Sequence, residues 1–191
     1  MTFSHRRTAS SSSMVFSFEP SPELPHLRAG CLETEHGRVF TPTFMPVGTY
    51  GPVRLLSAQE LRDCGAQIVL GNSLHLAMFV GADRIHSHGG LARFTSWNGP
   101  TLTDSGGYQV SYWWRSGTHT QDGGARKHRE SSPVEKIDSR GVRIRSLVDG
   151  ARSLVTPESA RDVQTKIGSG LTPFSATTSR LFRYGSGPAY F

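Results

Sequence analysis

Apolar and polar positions fall into short, punctuated blocks through much of the chain. Val39 to Val47 holds Phe40, Phe44 and Met45 together with Pro42 and Pro46, and predicts a strand bounded by turns. Ser57 and Glu60 then have the spacing of a capping box, with Leu56 and Leu61 as its hydrophobic staple, so a helix is predicted from Ser57. Gly65 suits the C-terminal end of that helix. Gln67-Ile68-Val69-Leu70-Gly71 is a continuous apolar run, the pattern of a strand buried on both faces, and Asn72 stands at its end. A second helix is predicted from Ala82 to His88, stopped by Gly89-Gly90, and Thr101-Leu102-Thr103 reads as a further strand that delivers Asp104. The alternation of strands and helices predicts a parallel sheet. Polar residues just past the C-termini of such strands gather around one crevice, and Asn72 and Asp104 hold equivalent positions there.

Beyond Val110 the periodicity lapses. Residues 111–133 include Trp113, Trp114, Gly123-Gly124 and Arg126-Lys127-His128-Arg129, and read as an irregular insertion. Order returns at Val142-Arg143-Ile144-Arg145, an alternating strand joined through Asp149-Gly150 to Leu154-Val155 as a hairpin. Thr156 followed by Pro157 opens a helix that runs to about Ile167 and is closed by Gly168. Three regions follow: 1–27, a disordered or targeting extension; 28–169, a partial domain interrupted by 111–133; and 170–191, an unstructured divergent tail.

Composition narrows the class. The chain has 191 residues, short of the roughly 250 typical of a complete (β/α)8 barrel. Lys and Arg outnumber Asp and Glu by 21 to 15, a net charge of +6 with a pI near 9.8, which suits a polyanionic partner as well as a merely basic surface. Cys31 and Cys64 are the two cysteines, too few for a disulfide framework, and no Cys/His spacing suits a metal, so a reduced, cytoplasmic protein without a metal site of its own is expected. Arg6, Arg7 and Ser10 to Ser13, with no acidic residue before Glu19, keep mitochondrial targeting open as an alternative. No apolar stretch approaches the roughly 18 residues of a membrane span.

The densest chemistry lies in Thr103-Asp104-Ser105-Gly106-Gly107-Tyr108-Gln109. A carboxylate and an amide can hydrogen-bond the edge of a purine-like base while an aromatic ring covers its face, and glycines let the backbone approach. A Gly-Gly turn opened by an Asx cap, beside a core tyrosine, accounts for the same residues without a ligand. A chymotrypsin-like nucleophile segment does not, because Thr103 stands where a glycine is needed and the β/α order contradicts an all-β barrel. His75 sits in an apolar setting and reads as a structural histidine. His86 and His88 lie near a helix end, where the dipole favours them.

Several segments in order and spacing resemble the tRNA-guanine transglycosylases, or queuine tRNA-ribosyltransferases. They are Arg28-Ala29-Gly30, Thr41 to Thr49, Gly65 to Asn72, Gly89-Gly90-Leu91, Trp97, Leu102 to Val110, Gly141-Val142-Arg143, Asp149-Gly150 and Thr156 to Gln164, as far as Gly168-Ser169. The resemblance implies the first half of a (β/α)8 TIM-type barrel. It also implies exchange of guanine for a 7-deazaguanine of the queuine type at a tRNA anticodon position, through a covalent aspartyl-ribose intermediate. Asp104 would bind the base and handle its proton, Tyr108 would stack on it, and Asn72, Ser105 and Gln109 would line its pocket. The implied partners are tRNA and a free purine-like base, with a homodimer or heterodimer as the assembly. The family's nucleophilic aspartate and its zinc ligands belong to a C-terminal half that this sequence does not match, and after Gly168-Ser169 the pattern is lost. The chain as written is therefore expected to be inactive in exchange, with a noncatalytic tRNA-binding or partner subunit as the alternative role.

Overall fold

Among the described residues the strands form three separate sheets of three strands each, of which the middle one is parallel. The computed structural model describes residues 15–22, 24, 26–118 and 132–168. The first sheet is an antiparallel meander of β1 (Val15–Pro20), β2 (Arg28–Thr34) and β3 (Gly37–Thr41). The second joins β4 (Val47–Gly48), β5 (Val69–Asn72) and β6 (Thr101–Asp104), with β5 in the centre. The third is the antiparallel set β7 (Val134–Asp138), β8 (Gly141–Arg145) and β9 (Arg152–Val155).

Helices link these strands where the sequence signals place them. Helix α1 (Ala58–Asp63) starts at Ser57, whose hydroxyl accepts the Glu60 N–H while the Glu60 carboxylate accepts from the Ser57 N–H, completing the predicted box. After β5 the chain turns at once into α2 (Ser73–His75), which widens into a π-helical turn over Leu76–Val80. Helices α3 (Ala82–Ser87) and α4 (Leu91–Phe94) precede β6, and α5 (Gly107–Thr118) follows it. Helix α6 (Pro157–Ile167) has Thr156 as its N-cap and Gly168, at φ +64°, as its left-handed C-cap.

Two clusters hold the helices to one another and to the third sheet. Leu76, Ile85, Leu91 and Ile167 form one, pinning α6 against α3, where Lys166 also pairs with Asp83. Leu74, Val110, Val134, Val142, Ile144 and Ala160 form the other, between α2, α5, the third sheet and α6. Gln164 is fully buried in α6, and its Nε2 donates to the carbonyls of Thr103 and Asp104, each at 3.0 Å. A side-chain amide thus donates to two successive carbonyls at the end of β6.

Several expectations need correction. Residues 15–20 of the supposed extension form β1, because the edge of β2 offers them a full antiparallel ladder from Val15↔Glu33 to Pro20↔Arg28. Val39 to Val47 is not one strand: Pro42 lacks the N–H a ladder requires, so β3 ends at Thr41 and a separate, two-residue β4 begins at Val47. Residues 111–118 are not irregular but continue α5, whose Val110, Trp113 and Trp114 recur at i, i+3 and i+4 and meet the core. The predicted hairpin gains a third strand, β7. Residues 1–14, 119–131 and 169–191, on which the rest of the extension, insertion and tail fall, lie outside the described residues. The architecture is mixed α/β, and among the described residues no closed barrel forms.

Gln164→Leu is expected to lower unfolding stability by about 1–3 kcal/mol, the cost of losing the Gln164 donations to the Thr103 and Asp104 carbonyls. Urea unfolding checks this, and an unchanged midpoint would contradict the tie between α6 and β6.

Candidate active site

Parallel pairing sets the geometry. In β5 and β6 the register runs from Val69↔Thr101 to Asn72↔Asp104, so the two polar residues stand side by side at the same edge. Asn72 is buried, and its Nδ2 donates to Asp104 Oδ2 at 2.8 Å. The other carboxylate oxygen, Oδ1, accepts the Gly106 N–H at 3.0 Å, an Asx turn that leads into α5. Gly106 is required twice over: its φ is +71°, and a Cβ there would lie 2.5 Å from Leu74 Cβ. The glycine therefore serves the turn and its packing on Leu74, so the need for close approach to a ligand does not have to be invoked at this position.

Asn72 is also the N-cap of α2. Its Oδ1 accepts the backbone N–H of His75 at 3.0 Å and lies 2.8 Å from His75 Nδ1. The imidazole is packed by three rings, with centroids of Tyr50 and Trp113 at 5.3 Å and of Phe79 at 6.1 Å. Tyr50 follows β4, so the ends of all three parallel strands contribute to one cluster. His75 was the residue sequence reasoning set aside as structural; its spacing of three from Asn72, at a helix start, is the signal that links them. The π-helical turn that begins at Leu76 follows directly, and such turns are frequent at functional sites.

Burial dominates the electrostatics. Removal from water pushes the Asp104 carboxyl above its ordinary range, against the opposing donations from Gly106, Asn72 and Ser73. Burial also holds His75 below its ordinary value, favouring the neutral ring. For a carboxyl raised in this way, the stabilising contribution is complete below its unfolded value and is lost as pH rises through its folded value.

The other predicted residues are more loosely placed. Ser105 follows Asp104 and lines a cavity of about 380 Å³ between α2, the third sheet and α6, along with Ser73, Leu74, Met78 and Val155. Tyr108 and Gln109 lie in the first turn of α5, where Tyr108 is 69% exposed and Gln109 is half-buried. Neither they nor Asp104 line the cavity, so the polar network and the cavity are neighbours rather than one site.

This network sits in a segment with known relatives. The family model described as queuine tRNA-ribosyltransferase matches residues 25–175. The chain belongs to the queuine tRNA-ribosyltransferase family. It is 43% identical over 144 residues to the queuine tRNA-ribosyltransferase of Nitrosomonas eutropha, covering 75% of this chain and 35% of that protein. The Methylobacillus flagellatus enzyme of the same name is 43% identical over 157 residues, 78% of this chain and 38% of its own length. For Gluconacetobacter diazotrophicus the identity is 39% over 160 residues, 84% and 37% of the two chains. The chain thus spans well under half the length of these family members.

Among the described residues no group of three or more His, Cys, Asp or Glu side chains is placed to hold a metal ion. Cys31 and Cys64 are both free. Among the described residues no helix is long and apolar enough to cross a membrane.

Asn72→Ala is expected to push the Asp104 carboxyl still higher, since it removes one of the donors that oppose desolvation, and to cost about 1 kcal/mol through loss of the α2 cap. Carbon-detected NMR titration of Asp104 measures the first effect, and a value that stays or falls would refute it.

Proposed function

We propose that this chain carries the base-binding part of a tRNA-guanine transglycosylase site, centred on Asp104. The observation that carries the reading is the half-buried Asp104 carboxylate, fixed at both oxygens by Asn72 and Gly106 at the end of β6, in a chain 43% identical over 144 residues to a queuine tRNA-ribosyltransferase. A carboxylate held in this way retains lone pairs for the ring N–H and exocyclic amine on the edge of guanine or a 7-deazaguanine. Its raised proton affinity suits taking up and returning a base proton near neutral pH better than an ordinary aspartate would. Tyr108, one helical step away and exposed, is free to cover the face of the base, while Ser105, Gln109 and Asn72 complete its surroundings.

On this reading β4, β5 and β6 are successive strands of a (β/α)8 barrel, with the site at their C-terminal edge, where such barrels collect chemistry. The exchange itself requires a second aspartate. Its carboxylate oxygen forms a bond to the ribose anomeric carbon as the bond to guanine breaks, the departing base is protonated, and the incoming deazaguanine then displaces the aspartate and loses a proton. That nucleophile lies among family positions this sequence does not match, so Asp104 acts on the base and not on the sugar. The polyanionic partner is tRNA, met by the basic surplus of the chain, and the assembly is a homodimer or heterodimer.

Isothermal titration of the 191-residue protein with guanine is expected to show binding that Asp104→Ala weakens tenfold or more, an estimate of about 1.5–3 kcal/mol for hydrogen bonds to a charged group. Equal affinity in the variant would remove Asp104 from the site. The same protein is expected not to incorporate labelled guanine into tRNA, and incorporation above background would overturn the division of labour between the two aspartates.

A further inference from the structure

We propose that His75 is a positioning residue for Asp104, acting through the Asn72 side chain. The functional consequence rests on the base-binding reading above; the geometry stands without it.

The polarity of the network follows from one backbone group. The His75 N–H can only donate, so the Asn72 atom it meets at 3.0 Å is the amide oxygen. The other end of that amide is therefore the NH2 group, which reaches Asp104 Oδ2 at 2.8 Å. His75 Nδ1 lies 2.8 Å from the same oxygen, which only accepts, so Nδ1 must carry a proton. A neutral ring is consequently the Nδ1–H tautomer, with Nε2 unprotonated. A charged ring would donate from Nδ1 equally well.

This second donation is surplus to the helix. Capping α2 needs only the backbone N–H on Asn72 Oδ1, which is present whatever residue occupies position 75. What the imidazole adds is a second donor on the same oxygen. Buried and with two donors on its oxygen, the Asn72 amide cannot turn over without facing donors with its own NH2. Its NH2 group is thereby held toward Asp104. The imidazole is in turn oriented by Tyr50, Phe79 and Trp113. The order of action runs from aromatic cluster to imidazole, to amide, to carboxylate, and His75 itself need not touch the base.

Three variants and one spectrum test this. In the wild-type chain, long-range proton–nitrogen correlation at neutral pH is expected to show His75 as the Nδ1–H tautomer, and the Nε2–H tautomer would overturn the proposal. His75→Phe and His75→Gln are expected to shift the Asn72 side-chain amide resonances and weaken guanine binding about tenfold, roughly one hydrogen bond. His75→Asn, whose Nδ2 falls where Nδ1 was, is expected to restore the resonances and to bind within about threefold of wild type, less than half of that free-energy loss. Phe and Asn variants that behave alike, or a Phe variant indistinguishable from wild type, would overturn the positioning role. If Asp104→Ala binds guanine as well as wild type, the base-binding reading fails instead, while the tautomer and amide resonances still decide the role of His75.

Discussion

Asn72 and Asp104 can share a hydrogen bond because β5 and β6 run parallel and in register, ending at the same level. An antiparallel pair would have put the two residues at opposite edges of the sheet. Much of the surrounding structure serves this juxtaposition. Gly106 allows the sharp exit from β6 that returns its N–H to Asp104, and Gln164 reaches from α6 to satisfy the carbonyls just behind. The cluster of Leu76, Ile85, Leu91 and Ile167 holds α6 where that reach is possible.

Chemistry and stability pull against each other at this point. A carboxyl removed from water resists ionisation, and each donor that keeps it charged also fixes its direction. Asn72 therefore has two effects from one hydrogen bond, lowering the cost of the charge and setting the plane in which the remaining lone pairs lie. The raised proton affinity that burial leaves despite these donors is a destabilising feature above its folded titration point and a useful one for moving a proton on a base.

The sequence was most informative where local chemistry decides structure. The capping box at Ser57, the N-cap at Thr156, the apolar run Gln67 to Gly71 and the equivalence of Asn72 with Asp104 could all be read in advance, because caps and strand ends depend on residues close in the chain. Pairing partners supplied by distant segments could not. Val15–Pro20 becomes a strand only because β2 lies beside it, and the partnership of Gln164 with β6 spans some sixty residues. The continuation of α5 to Thr118 was obscured by its glycine and serine content, although Val110, Trp113 and Trp114 already carried a helical spacing. His75 was legible as a structural histidine in an apolar setting and not as connected, because the link through Asn72 depends on the helix that begins between them.

The most direct test of this account is a crystal structure of the chain with 7-deazaguanine bound. The account predicts the edge of the base within about 3 Å of an Asp104 carboxylate oxygen, with Asn72 still donating to the same carboxylate. A base seated instead in the cavity between α2, the third sheet and α6, with Asp104 untouched, would contradict it.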